Sequence, residues 1–143
     1  WFTVLDVELY SSENSINVVN CSANDLINPL SEGAALVSCL TLHDGKLYSG
    51  SWDKTIKVWD CSDDSLITTL TGHTGAVACL TIHDGKLYSG SGSFDCTIKA
   101  WNCSTYEFIA TLRGHINVVR ELTFQNGKLY SKDIYDVIKI WKL

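Results

Sequence analysis

His73, Ser89 and Asp95 are the side chains here whose types could carry out covalent chemistry. A carboxylate that orients a histidine, which in turn draws the proton from a serine hydroxyl, makes a nucleophile for acyl transfer. A reaction needs such a set once, however, and these members recur. Ser89 returns as Ser49 and Ser131, Asp95 as Asp53, and His73 as His115. Trp101 keeps the same rhythm, with Trp59 and Trp141. Recurrence fits a structural network, in which buried polar groups satisfy one another wherever the same unit is built. No catalytic residue is therefore expected. His43 and His83 also recur, with no C-x-x-C or H-x-x-x-H spacing beside them, so no metal site is expected. With no nucleotide-binding loop either, no cofactor is expected.

The elements that position these residues follow from a repeat. Leu40 to Ser51 returns as Leu80 to Ser91 at an offset of 40, with only Leu42→Ile82 changed, and again, decayed, as Leu122 to Ser131. A second block follows each copy: Thr55-Ile56-Lys57-Val58-Trp59, Thr97-Ile98-Lys99-Ala100-Trp101 and Val137-Ile138-Lys139-Ile140-Trp141. A fainter copy precedes them. Leu9-Tyr10-Ser11 matches Leu47-Tyr48-Ser49 at offset 38, and Ile16 to Ser22 matches Ile56 to Ser62 at offset 40, with Val19 in the Trp position.

Each copy reads as β-structure, because short β-branched runs alternate with Gly, Asn, Asp and Ser and no 3.6-residue period is sustained. Asp44-Gly45, Asp84-Gly85 and Asn126-Gly127 signal two-residue hairpins of type I′, which need positive φ at both positions. Asp6-Val7 holds that place in the first copy, and a β-branched Val suits it poorly, so an irregular hairpin is expected. The pattern predicts strands near 36–42, 46–51, 55–60 and 65–70, and again near 76–82, 86–90, 97–102 and 106–112. The last copy stops after its third strand.

The 143 residues carry 11 basic and 16 acidic side chains, a net charge of −5. Nucleic acid and anionic membranes reward a basic face, so neither is an expected partner. No apolar run approaches the ~20 residues that span a bilayer. The start, Trp1-Phe2-Thr3-Val4, lacks signal-peptide character, and a chain without Met reads as a piece of something longer. Among the six Cys, Cys21, Cys61 and Cys103 share one repeat position and Cys39 and Cys79 another, while Cys96 stands apart. Equivalent positions on neighbouring units diverge, which disfavours pairing. Free, half-buried thiols in a reducing compartment are expected. Asn20-Cys21-Ser22 and Asn102-Cys103-Ser104 fit the glycosylation pattern by coincidence.

Forty-residue units of four strands, with Gly72-His73 leading to Trp101-Asn102, Gly114-His115 leading to Trp141-Lys142, and the pair Trp59-Asp60, resemble the WD-repeat (WD40) β-propeller family. The resemblance implies an all-β fold of four-stranded antiparallel blades, about four in an incomplete ring. The blades would run about 1–30, 31–70, 71–112 and 113–143, the last without its outer strand. It also implies that His73, Ser89, Asp95 and Trp101 form a structural tetrad. The second copy has Gly33 in place of the His. In the fourth, Tyr135 occupies the Asp position and Asp136 is displaced by one. The first retains only Ser11, with Glu13 near the Asp position. The third blade should then be the best locked.

In this family partners often dock on the face that carries the Gly-His loop and the tetrad Asp. Carried over, the positions are Leu36, Ser38 and Trp52, then Ala76, Ala78 and Phe94, then Val118, Arg120 and Ile134. The function implied is a scaffold or adaptor that binds a protein or peptide, without enzymatic activity, in the cytoplasm or nucleus. Alternatives are the substrate-recognition domain of a larger ubiquitin ligase or kinase, a secreted glycan-binding propeller, and an incomplete fragment without independent activity. End blades that each lack a neighbour predict self-association of the isolated chain.

Overall fold

Asp44 and Gly45 adopt φ of 49° and 70°, Asp84 and Gly85 51° and 70°, and Asn126 and Gly127 51° and 72°. These pairs close the two-residue hairpins that their sequence demands. In this computed structural model the strand backbones within residues 2–30 are described, as are residues 36–143 apart from 64 and 93. Gly33 and Glu13 lie outside the described residues.

Among the described residues, fifteen strands build four antiparallel sheets in chain order. The first sheet holds β1 (Phe2–Val4), β2 (Val7–Ser12), β3 (Ser15–Asn20) and β4 (Asp25–Leu30). The second holds β5 (Val37–His43), β6 (Lys46–Ser51), β7 (Ile56–Asp60) and β8 (Leu66–Leu70). The third holds β9 (Val77–His83), β10 (Lys86–Ser91), β11 (Ile98–Asn102) and β12 (Phe108–Leu112). The fourth has three strands, β13 (Val119–Gln125), β14 (Lys128–Asp133) and β15 (Ile138–Lys142). No helix occurs among the described residues. Each sheet packs face to face on the next, in an arc that leaves the outer face of the fourth uncovered.

The first hairpin departs from expectation. Val4 pairs with Val7, so Val7 belongs to β2. The β-branched Val7 thus stands in a strand, which suits it, and not at a turn position. Leu9 then pairs with Val18, as Tyr48 pairs with Val58, and Ser11 pairs with Ile16, as Gly50 pairs with Ile56. In this register Tyr10, not Ser11, corresponds to Ser49.

A strand's period of two sends alternate side chains to opposite faces, and the second, third and fourth sheets share apolar faces with their neighbours. Cys39, Tyr48, Ile56, Val58 and Leu70 of the second sheet meet Val77, Leu87, Trp101 and Cys103 of the third. Cys79, Tyr88, Ile98 and Ala100 of the third meet Val119 and Leu129 of the fourth, with Phe124 and Trp141 beside them. Cys39, Cys79 and Cys103 are thus fully buried free thiols, deeper than the half-buried state expected. They take part in seam packing, and burial pushes the Cys39 thiol up to about 11. Cys61 is exposed and Cys96 half-buried.

A bulge recurs at one level of three sheets. Ser38, Ala78 and Arg120 are passed over in the pairings of β5, β9 and β13. A bulge re-aims side chains and ends regular pairing, and here it sits where the chain leaves the loop edge of the sheets.

Candidate functional site

The hydroxyl of Ser89 is completely buried at the centre of the third sheet's polar network. It lies 2.7 Å from His73 Nε2 and accepts a hydrogen bond from Trp101 Nε1 at 3.0 Å. His73 Nδ1 lies 2.9 Å from Asp95 Oδ2. An indole N–H only donates and a carboxylate only accepts, which fixes the protons: Nδ1–H points to Asp95, and the Ser89 hydroxyl donates to Nε2. Asp95 also accepts from the Thr74 and Thr97 backbone N–H groups at 2.7 and 3.1 Å, and from the Thr97 hydroxyl. Burial works to raise the Asp95 pKa, but the bonds from Thr97, Thr74 and His73 together outweigh it and hold it at about 2. Burial lowers that of His73, with Asp95 opposing. The result is a neutral imidazole and an ionised carboxylate in a closed network. A nucleophile without access to substrate has nothing to attack, so this geometry locks a loop to a sheet.

The fourth sheet corrects the sequence reading. Its network is complete, and the carboxylate comes from Asp133 rather than from position 135 or 136. His115 Nε2 lies 2.7 Å from Ser131 Oγ, Trp141 Nε1 donates to that oxygen at 2.8 Å, and His115 Nδ1 lies 3.4 Å from Asp133 Oδ2. Asp133 Oδ1 accepts from the Tyr135 and Val137 N–H groups at 2.9 and 3.0 Å. Burial again works to raise its pKa, and these N–H groups with His115 hold it below the usual range. Asp133 occupies the slot of Ser51 and Ser91 at the strand end. Asp136 instead takes φ of 64° in the turn, as Lys54 and Cys96 do at 76° and 54°. An acidic residue in a strand slot otherwise filled by buried serine was the signal in the sequence.

In the second sheet Trp59 Nε1 donates to Ser49 Oγ at 3.0 Å, and Asp53 Oδ1 accepts from the Thr55 N–H at 2.9 Å. His73 lies closer to Asp95, at 2.9 Å, than His115 does to Asp133, at 3.4 Å.

These networks hold a row of loops along one edge. Trp52 N–H donates to the Leu36 carbonyl, Gly92 to Ala76 and Ile134 to Val118, at 3.0, 2.9 and 3.1 Å. Gly92 therefore stands where Trp52 and Ile134 stand. Phe94 rides on a loop two residues longer than its counterparts, between Ser91 and Thr97, and is 96% exposed. Trp52 is 63% exposed, and Leu36 and Ile134 are partly open. Val118 is half-buried. Arg120 is exposed at its bulge, with its guanidinium 3.2 Å from Asp136 Oδ1. Two neighbours were missed in the sequence, Ile116 directly after the His and Tyr135 in the turn, and both are largely exposed. Both fill loop slots that are polar in the third and second copies, by Thr74 and Asp53.

The model of the WD domain, G-beta repeat, matches residues 8–60 and 64–102. Among curated proteins, none matches the chain. Among solved structures, the computationally designed Ika4 protein is similar with a TM-score of 0.86 and 24% identity, over 99% of this chain and 88% of that one. The computationally designed Ika8 protein gives 0.86 and 24% over 100% of this chain and 44% of that one. A chain of the Mitotic Checkpoint Complex gives 0.86 and 24% over 95% and 43%. This chain spans less than half of the latter two. The repeats in this family serve in general as protein-interaction scaffolds that bind proteins or peptides, and the chain belongs to the WD domain, G-beta repeat family.

Proposed function

We propose that the loop edge of the second to fourth sheets docks an apolar segment of a partner protein, and that the chain acts as an adaptor without chemistry of its own. The observation that carries this is Phe94, a fully presented aromatic ring one residue from a carboxylate pinned by His73, Thr74 and Thr97. An exposed ring on a fixed loop contributes little to folding and is pre-organised for an interface. Trp52, Ile116, Ile134 and Tyr135 extend the apolar edge on either side. Arg120 is engaged by Asp136, which favours an apolar recognition element over a phosphorylated one. The buried thiols of Cys39, Cys79 and Cys103 support a reducing, cytoplasmic or nuclear setting.

Selection of a phage-displayed random peptide library on the immobilised chain tests this reading. Enriched sequences should carry two or more large apolar residues. Their binding should be lost in the Trp52→Ala, Phe94→Ala double variant, while its urea midpoint stays at the parent value. Binding that survives the double substitution would overturn the assignment of the surface.

A further inference from the structure

The second, third and fourth sheets each keep one aspartate of the lock at the loop edge, Asp53, Asp95 and Asp133, and two of the three are consumed by it. Asp95 and Asp133 are each held by an imidazole, His73 at 2.9 Å and His115 at 3.4 Å, with their side chains buried. Asp53 is the exception. Residues 31–35, Ser-Glu-Gly-Ala-Ala, include no histidine, and Gly33 takes the place in the repeat that His73 and His115 fill. Asp53 is exposed, and the described residues use only its Oδ1. That oxygen accepts from the Thr55 N–H at 2.9 Å and from the Thr55 hydroxyl at 2.5 Å.

The open carboxylate is nonetheless fixed in place. The Asp53 N–H donates to the buried Ser51 hydroxyl at 3.1 Å, and the Ser51 N–H donates to the Thr55 carbonyl at 3.1 Å. Lys54 closes the turn with φ of 76°, its N–H donating to the Ser51 carbonyl at 3.2 Å. Burial works to raise the Asp53 pKa, but the bonds from Thr55 and Ser51 and the charge of Lys57 outweigh it and hold it below the usual range. Asp53 is therefore ionised at neutral pH. Lys54 in the turn and Lys57 on β7 are the cations of this segment, and among the described residues neither makes an ion pair with it.

Beside this anion stands the Trp52 ring, 63% exposed on a backbone tied to the Leu36 carbonyl at 3.0 Å. An indole face attracts a cation through its quadrupole, more strongly than a phenyl or phenol ring does. An exposed carboxylate attracts the same cation by charge, and alone it contributes little in water. Together on one fixed turn, the two favour a cationic ligand over a neutral or anionic one. The other two loops lack this combination. Phe94 neighbours a carboxylate already paired with His73, and next to Tyr135 the exposed Asp136 is engaged by Arg120 and Lys132.

We propose that Trp52 and Asp53 form a seat for a cationic side chain, arginine or lysine, of the partner. The inference rests on the loop-edge reading and gives it a direction. The basic residue of the bound segment lies at the second sheet, and its apolar residues lie at Phe94, Ile116 and Ile134.

The test uses the 143-residue chain, with N-acetyl-arginine amide and N-acetyl-lysine amide as probes. N-acetyl-citrulline amide, the neutral relative of the first, is the control. The readout is the indole N–H signal of Trp52 in nitrogen–proton correlation spectra, assigned by its disappearance in Trp52→Ala. At least one cationic probe should shift this signal saturably in the millimolar range, and the citrulline compound should not. Asp53→Asn keeps an acceptor for Thr55 and should weaken the binding about fivefold. Unmoved indole signals of Trp59, Trp101 and Trp141 in that variant mark an intact fold. High salt should weaken binding to the parent chain as well. No saturable shift with either cation would overturn the proposal, as would an equal response to citrulline or equal affinity in Asp53→Asn. Library peptides that still require Trp52 and Phe94 would in that event leave the loop-edge reading standing. Loss of those peptides too would remove both.

Discussion

Asp133 lies on β14, two residues before the slot of Asp53, yet its carboxylate sits 3.4 Å from His115 Nδ1 in the role that Asp95 fills toward His73. The network therefore selects for a carboxylate at a point in space, not at a place in the repeat. A strand-end side chain reaches that point as readily as a turn side chain, provided that it also collects the turn's N–H groups. Asp133 does so with Tyr135 and Val137, as Asp95 does with Thr97 and Thr74.

The first expectation concerns that substitution of position. Asp133→Ala should lower Tm by several degrees, because His115 Nδ1 and two N–H groups lose their acceptor together. Asp136→Ala should leave Tm nearly unchanged, since its ion pairs with Arg120 and Lys132 are exposed. Differential scanning calorimetry of both variants decides the matter. A larger loss for Asp136 would restore the reading taken from the sequence.

How much of this was legible follows from particular residues. The hairpins at Asp44-Gly45 and Asp84-Gly85 and the strands of the second and third sheets agree with the structure within about two residues, because turn chemistry and β-periodicity are local. The roles of Ser89 and Trp101 followed from recurrence. Asp133 was missed because repeat alignment compares positions along the chain, whereas a hydrogen-bond acceptor is judged by where its oxygens end up. Gly90 was missed for a related reason. A glycine in a strand acquires meaning only when the facing sheet, with Val119, is known.

The two tryptophans of unlike burial give a second expectation. Trp101 is buried in the seam, bonds to Ser89 and meets the Phe108 ring edge-on at 5.6 Å. Trp101→Ala leaves a cavity and takes one donor from the buried Ser89 oxygen, at a cost of about 3–5 kcal/mol. Trp52→Ala removes an exposed ring and should cost less than about 0.5 kcal/mol. Urea midpoints compare them directly, and equal losses would refute the division between core and surface.

A third expectation is the pH dependence of stability. His73 has its pKa lowered by burial, so below the ordinary value of 6.5 the unfolded chain binds a proton that the folded chain refuses. Stability from this group is complete above 6.5 and falls as pH drops below it. Asp95 is held at about 2 against an ordinary 3.8, so it adds a second loss between those values as the pH falls. The urea midpoint should be level above about pH 7, decline below 6.5 and decline again below 4. Asp95→Asn should flatten the lower limb. A midpoint that rises on acidification would contradict both assignments.

The last expectation separates two glycines. Gly90 has ordinary backbone angles, but a Cβ there would lie 2.5 Å from Cys79 Sγ and 2.9 Å from Val119 Cγ1. Neither neighbour can yield easily, since Cys79 and Val119 are both buried in the seam. Gly90→Ala should therefore push the third and fourth sheets apart and cost about 1–3 kcal/mol. Gly45 sits at φ of 70° with open space around it, so Gly45→Ala meets no atom and costs only backbone strain, about 1 kcal/mol. The two losses can be similar in size, so the location of the damage is the discriminating readout. Amide hydrogen exchange in Gly90→Ala should quicken across β9 to β11 and β13 to β14, on both sides of the seam. In Gly45→Ala it should quicken only in the hairpin of β5 and β6. Exchange confined to one sheet in the Gly90 variant would mean that the close approach of Val119 to Gly90 does not hold the sheets together.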